Sequence, residues 1–168
     1  WLYLAPAMAW FALFAVFPLI YTLNVSVSDW SAADHPFVGF KHYAEMLGDN
    51  ALRLSVRNTV IFSASTLICS FLLGLGVALL LASDDLWGKA FFRSILILPY
   101  VISPVVVGVA FRLMMHPILG VLNYVLGTTG RDWLGSPQSA MSSVIAITVW
   151  ELTPFFAIIL LAGLLSLP

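Results

Sequence analysis

Charged residues are scarce in this chain. Aspartate, glutamate, lysine and arginine make up 9% of its 168 residues, against about 25% in an average soluble domain. Hydrophobic residues make up 61%, against roughly 45–50%. A soluble fold of this length leaves too much surface in water to bury so many apolar side chains. The excess apolar surface therefore has to face lipid or other membrane helices.

The sequence also lacks the residue patterns of several function classes. Its one cysteine, Cys69, excludes an intrachain disulfide, and the apolar run around it predicts a small buried side chain. There is no glycine-rich phosphate loop and no His-Glu-x-x-His pair, and the histidines His35, His42 and His116 are scattered. No spacing joins a nucleophile to a base. The sequence therefore predicts no catalytic residue, no metal site, no cofactor and no nucleic-acid partner.

Four apolar stretches are long enough to cross a bilayer, which takes about 20 residues. They cover residues 2–27, 60–82, 95–115 and 140–165, approximately. Because backbone groups in hydrocarbon must satisfy their own hydrogen bonds, these stretches predict helices. We therefore expect an all-α, polytopic membrane protein with one transmembrane domain over residues 1–168. The start at Trp1 and the stop after an apolar run lead us to expect that both ends are cut.

Three polar connections join these stretches, at residues 28–59, 83–94 and 116–139. Helical spacing of apolar residues within 37–57 predicts short interfacial helices, with Asp49 or Asn50 capping the second, and a solvated loop is the alternative. The shortest connection carries Lys89 and Arg93 and is the densest in positive charge, which favours the cytoplasmic side. The other two connections hold more basic residues in total, so charge alone leaves the orientation open.

Glu151 lies near the middle of the fourth apolar stretch. An acidic side chain at the bilayer centre costs about 2.5–3.5 kcal/mol on insertion scales. Such a residue normally faces a polar cavity or a partner. Two interpretations stay open: Glu151 lines a transport path or binds a polar solute, or it forms a structural hydrogen bond to a neighbouring helix or subunit.

Pro154 follows three residues later and predicts a bend, because it removes one backbone hydrogen bond and crowds a carbonyl one turn earlier. Trp150 and Phe155 flank the same spot. A polar group beside aromatic faces suits a sugar, which has hydroxyls at its rim and C–H groups on its faces. Aromatic rings also pack between helices, so this pairing alone does not distinguish a sugar site from helix packing.

Prolines and small residues predict further features of the membrane helices. Pro99 and Pro104 predict a bent third helix that pivots or lines a cavity, with a static kink as the alternative. Gly74, Gly76 and Ala78 predict a face of the second helix that packs closely against a neighbour.

Several motifs occur in a recognisable order along nearly the whole chain. They are Ser28-Asp29-Trp30, Val38-Gly39-Phe40-Lys41-His42-Tyr43, Asn58-Thr59, Phe92-Arg93, Leu98-Pro99, Pro117 with Gly120 and Asn123, Thr153-Pro154-Phe155, and Ala162-Gly163-Leu164. Together they resemble the inner-membrane permeases of binding-protein-dependent ABC importers, in the branch that carries sugars and glycerol phosphate.

The resemblance implies four helices of a permease core, cut before the cytoplasmic loop that docks on the ATPase. It places the connection with Lys89 and Arg93 in the cytoplasm, in a bacterial inner membrane. The implied activity is import of a sugar or related polyol by ATP-driven alternating access, with no enzyme activity of the chain's own. The implied partners are a second permease subunit, two ATPase subunits and an external solute-binding protein.

By position, the resemblance to the maltose permease implies solute contacts at Trp150, Glu151, Leu152 and Phe155, and helix kinks at Pro99, Pro104 and Pro154. The maltose permease has an apolar residue in place of Glu151, so the solute itself does not carry over. The main rival is a secondary transporter or channel that uses Glu151 as a proton or ion site. A membrane-embedded enzyme is a second rival. The amino-acid and oligopeptide branches of the same importer class fit the long first connection less well.

Overall fold

A computed structural model describes residues 3–83, 87–128 and 130–166. Helices dominate this part of the chain, and its only β-pairing is an isolated antiparallel bridge between Ser28 and Phe37. The prediction of an all-α protein is confirmed. The chain forms two compact units, Trp1–Arg57 and Asn58–Pro168, which are described separately below.

The first unit begins with a continuous helical segment, Ala5–Ser26. It consists of α1 (Ala5–Phe11), a π-helical turn (Ala12–Val16) and α2 (Phe17–Ser26). The amide of Phe17 donates to the carbonyl of Ala12, five residues earlier, as in a π turn. Pro18 follows directly and has no amide hydrogen to continue the regular pattern. The segment therefore stays helical through a local widening.

The connection after α2 folds back on the end of that helix. Helix α3 (Lys41–Gly48) is anchored by the Tyr43 hydroxyl, which donates to Ser26 Oγ at 2.8 Å. Two hydrogen bonds from Ser31, one from its hydroxyl and one from its amide, lower the pKa of the Asp29 carboxyl. Asp49 then accepts the amide of Ala51 at 2.8 Å and caps the next helix.

Helix α4 (Asn50–Ala82) runs 33 residues without a break. The second short helix, predicted to lead into a membrane helix that starts near residue 60, is continuous with that helix. Residues 51–73 contain neither glycine nor proline, so nothing ends the helix between them. At 1.5 Å per residue, α4 is about 50 Å long. Its first ten residues exceed what the hydrocarbon requires.

The third apolar stretch is a broken pair of helices, α5 (Lys89–Val101) and α6 (Pro104–Met114), bent by 92°. Ser103 is extended, with ψ at 134°, because a proline disfavours helical geometry in the residue before it. The bend therefore lies at Pro104, while Pro99 remains inside α5. The pair also starts six residues before the expected position of residue 95.

The connection after α6 is tied together by Asn123, in the short helix α7 (Val121–Leu126). Asn123 is only 2% exposed. Its Nδ2 group shares its two hydrogens among the carbonyls of His116, Pro117 and Arg131, at 2.9–3.2 Å. Its Oδ1 atom accepts the Thr128 hydroxyl and the Trp133 indole N–H. The connection is thus an ordered cap and not a loose loop.

Helix α8 (Ala140–Leu165) covers the fourth apolar stretch and packs on α4. The two backbones meet closely at Gly74, where an added Cβ would lie 2.6 Å from Phe156 Cβ and 3.0 Å from the Ala157 amide nitrogen. Ala78 is also buried in this contact, but Gly76 faces open space. Cys69 is exposed, against expectation, because the buried face of α4 follows Thr66, Ser70, Gly74 and Ala78.

Little of the apolar surface is buried within the described residues. The buried hydrophobic residues there are six, namely Ala78, Leu81, Val107, Val149, Ala157 and Leu161. Three helices are long and apolar enough to span a membrane, or four if the bent pair counts as one. Because water would penalise so much exposed apolar area, these faces suit lipid or further membrane helices.

Candidate functional site

The middle of α8 is marked by Pro154, which is fully buried inside the helix. Proline has no amide hydrogen, so the carbonyl of Trp150, one turn earlier, loses its usual helical partner. The Thr153 hydroxyl donates to the neighbouring carbonyl of Val149 at 2.6 Å. Local polarity is therefore concentrated in the turn that also carries Glu151.

Two aromatic side chains of α8 hold this turn against the bent helix pair. The Trp150 ring meets Phe111 of α6 edge to face, with centroids 5.3 Å apart. The Phe155 ring stacks on Tyr100 of α5, with centroids 5.4 Å apart. Tyr100 and Phe111 lie on opposite sides of the 92° bend. One face of α8 thus contacts both arms of the broken helix.

Glu151 lies between these two aromatic contacts along α8 and is partly buried. At about 100° per residue, Trp150, Glu151, Pro154 and Phe155 fall within roughly 140° of the helix circumference. Among the residues that the structure describes, no hydrogen bond or ion pair involves the Glu151 carboxylate. Its acceptor oxygens are therefore available to a solute or to a partner.

Leu152 is placed differently from the other predicted contact residues. Helical geometry puts it about 200° around α8 from Trp150. It is partly buried and does not share the wall that carries Trp150 and Glu151. The geometry therefore brings together three of the four predicted contacts, and the fourth lies beside Phe155 on the flank.

Tyr100 and Phe111 belong to this site but were not predicted from the sequence. Both lie in apolar runs, where an aromatic residue is most often a packing residue. Their relevance follows from their contacts with Trp150 and Phe155 across three helices. The only feature of the sequence that pointed to Tyr100 was the pair of prolines on either side of it, because they predicted a bend there.

The site contains no recognisable cofactor or metal site. Among the described residues, no group of three or more histidine, cysteine, aspartate or glutamate side chains converges as metal ligands would. What the arrangement offers is a carboxylate, a weakened helix turn and aromatic faces. These groups can bind and release a polar molecule.

Comparison with known proteins finds relatives that are permease proteins of transport systems. A probable ABC transporter permease protein of Sinorhizobium fredii is 37% identical, over 96% of this chain and 54% of its own length. The trehalose/maltose transport system permease protein of Thermococcus litoralis is 30% identical, over the whole chain and 58% of its own length. The chain is related to sugar-type ABC transporter permeases. No family model matches it.

The permease fold is supported independently by a solved structure. A chain of a bacterial ABC transporter involved in the import of the acidic polysaccharide alginate superposes with a TM-score of 0.82. The match covers 98% of this chain and 57% of that one, at 23% identity. The resemblance inferred from the sequence motifs is therefore confirmed, as is the all-α permease fold. The chain spans somewhat more than half the length of the curated permeases that it matches.

Proposed function

We propose that the chain is part of a permease subunit that moves a sugar or related polyol inward across a bacterial inner membrane. The observation that carries the proposal is the face of α8 with Glu151 between Trp150 and Phe155. A carboxylate accepts hydrogen bonds from sugar hydroxyls, while aromatic rings cover the C–H faces of the ring. The relatives named for trehalose/maltose and alginate transport support a carbohydrate.

The transport cycle would use the bent helix pair as its moving part. Phe155 contacts α5 and Trp150 contacts α6. A change in the bend at Pro104 would therefore change the space beside Glu151. Pro99 and Pro154 remove backbone hydrogen bonds that would otherwise stiffen α5 and α8. Solute binding then biases one of two arrangements through its different affinity for each, as alternating access requires.

The proposed partners are a second permease subunit, two ATPase subunits and an external solute-binding protein. Energy would come from ATP hydrolysis on the partner subunits, and the chain itself would catalyse no bond chemistry. The exposed apolar faces of the described helices support assembly with further membrane helices. Trehalose and maltose are the first sugars to test, since the Thermococcus litoralis relative is named for them.

The test is uptake of radiolabelled trehalose and maltose by the full-length protein with its partner subunits and binding protein. Glu151→Ala should lower uptake by about 10-fold or more, because a hydrogen bond to a charged group contributes about 1.5–3 kcal/mol. Purification with the partner subunits should be unchanged. Glu45→Ala is the matched control, because Glu45 is the only other glutamate of the sequence and is exposed on α3.

Equal loss of uptake and of assembly would instead assign Glu151 a structural role. The rival transport mechanism is separated in the same assay. Uptake that follows an imposed proton gradient and proceeds without ATP would indicate a secondary transporter with Glu151 as its proton site. This rival is tested because the Glu151 carboxylate has no partner among the described residues and could bind a proton.

A further inference from the structure

A second polar site lies at the C-terminal end of α6, starting one residue after Phe111, which contacts Trp150 of α8. It is a cleft of about 320 Å³ between the end of α6 and the connection that follows. Its polar side chains are Arg112, His116 and Asp132, and Leu134 and Gly135 complete one wall. None of these residues belongs to the proposed path around Glu151, so the cleft needs its own explanation.

The hydrogen bonds of His116 fix what its ring offers to the cleft. Its Nδ1 atom accepts the backbone amides of Ile118 and Leu119, each at 3.2 Å. A nitrogen that accepts these hydrogens carries no proton itself, so in the neutral ring the proton is on Nε2. His116 therefore supplies a hydrogen-bond donor whose orientation is set by the backbone.

The Asp132 carboxylate is held in place in a similar way. Its Oδ1 atom accepts the amide of Gly135 at 2.7 Å. The same carboxylate lies so close to the Cα of Gly135 that a Cβ there would collide with it. Glycine at this position thus permits a close contact that fixes the carboxylate and leaves Oδ2 as an acceptor.

The backbone that carries these groups is rigid for an exposed connection. Asn123 binds the carbonyls of His116 and Arg131, one on each side of the cleft. The Ser139 hydroxyl binds the carbonyl of Asp132, which ties the same segment to the start of α8. Groups that are ordered before binding lose less entropy when a ligand arrives. The polar groups of the cleft are therefore held in place before a ligand binds, as in a preorganised binding site.

The charges of the cleft indicate the class of ligand. Arg112 is exposed and makes no ion pair within the described residues, so its guanidinium donors are available. One cation and one anion face the same space, which disfavours a strongly charged ligand of either sign. A pair of neighbouring hydroxyl groups fits this set, since it can accept from Arg112 and His116 and donate to Asp132.

We infer that this cleft is a binding site for the vicinal hydroxyls of the transported solute, occupied before the solute reaches Glu151. The inference rests on the proposed function and adds a position to it. It assigns Arg112, at the end of α6, and His116 and Asp132, on the connection that follows, to the outer end of the path; the permease resemblance implies that this connection lies outside the membrane.

The test is protection of an introduced cysteine by sugar in the assembled transporter. In a Cys69→Ala background, Leu134→Cys lines the cleft, and Gln138→Cys is an exposed control outside it. Each is modified with a membrane-impermeant thiol reagent, with and without trehalose or maltose. At about ten times its Kd, a bound sugar should slow modification of Leu134→Cys roughly tenfold. Modification of Gln138→Cys should not change.

Variants of the polar groups complete the test. Adding Arg112→Gln or Asp132→Asn should remove the protection, while Arg131→Gln should keep it, because Arg131 stacks on Trp133 outside the cleft. Met115→Cys also lines the cleft and replaces Leu134→Cys if that variant does not assemble. Protection of both cysteines alike, of neither, or unchanged protection in both neutralised variants would overturn the site.

Failure of the two proposals is distinguishable in these measurements. If the wild-type transporter imports a sugar and that sugar does not protect Leu134→Cys in the labelling variant, the outer site is contradicted and the proposed function stays intact. A wild-type transporter that imports no sugar or polyol, trehalose and maltose included, contradicts the proposed carbohydrate function, whatever the labelling shows.

Discussion

Single side chains carry much of the order in this protein, and Asn123 is the clearest case. Five polar groups surround its amide: three carbonyls share its two N–H hydrogens, and two side chains donate to its oxygen. Asn123 therefore determines the shape of the connection between α6 and α8.

Asn123→Ala should destabilise the protein by about 2–4 kcal/mol, because it removes the hydrogen-bond partner of the Trp133 indole N–H and of the Arg131 carbonyl and breaks the tie between the two sides of the connection. Asn123→Asp should be similarly damaging, since a carboxylate would face three carbonyls. Thermal unfolding of the detergent-purified transporter measures the effect. Asn50→Ala, at an exposed asparagine in the first turn of α4, should change the midpoint little. An unchanged midpoint for both Asn123 variants would contradict the role described.

At the scale of elements, the α4–α8 contact depends on a single close approach at Gly74. The added Cβ distances of 2.6 and 3.0 Å to Phe156 and Ala157 leave no room for a side chain. One turn earlier, the Ser70 hydroxyl is buried with no hydrogen-bond partner among the described residues. The contact is therefore governed by shape and gains little from polar groups.

Gly74→Val should destabilise the helix pair by about 1–3 kcal/mol, the usual cost of overpacking. Gly76→Val is the matched control, since Gly76 lies half a turn away and faces open space. Thermal unfolding and co-purification with partner subunits report the difference. Equal effects of the two substitutions would show that α8 does not pack at Gly74.

Ser70→Ala should be neutral or stabilising, because it removes a buried hydroxyl that has lost its water without gaining a partner. The same unfolding measurement checks this. A loss of stability comparable to that of Gly74→Val would show that the hydroxyl has a partner, such as a carbonyl of α8 in the assembled transporter.

Sequence reasoning was most accurate for features that depend on local chemistry. The fourth apolar stretch predicted where α8 begins and ends. The prolines near Tyr100 predicted the bend between α5 and α6. It failed for features that depend on contacts between residues far apart in the sequence. The exposed position of Cys69 and the separate roles of Gly74 and Gly76 depend on which face of α4 meets α8. The contacts of Tyr100 and Phe111 depend on three helices at once, which no local pattern contains.

The direction of transport depends on how the complete protein is oriented in the membrane. From the resemblance to permeases we expect the start of α5, with Lys89 and Arg93, to face the cytoplasm and the connection with Asn123 to lie outside. The excess of positive charge per residue in the first of these agrees with that orientation. The outer cleft and the path around Glu151 would then lie in the order in which an imported solute meets them.

Cysteine labelling in intact cells tests this orientation. In a Cys69→Ala background, Leu119→Cys and Trp87→Cys place thiols at highly exposed positions of the two connections. A membrane-impermeant maleimide should label Leu119→Cys in intact cells and Trp87→Cys only after the membrane is opened. The reverse pattern would invert the proposed direction of transport.

An experimental structure of the assembled transporter with a sugar bound in the membrane would show whether the α8 face holds the solute. We expect sugar density against the α8 face of Trp150 and Phe155, with a hydroxyl within hydrogen-bonding distance of the Glu151 carboxylate. A structure in which Glu151 faces lipid, or in which the sugar binds far from α8, would contradict it.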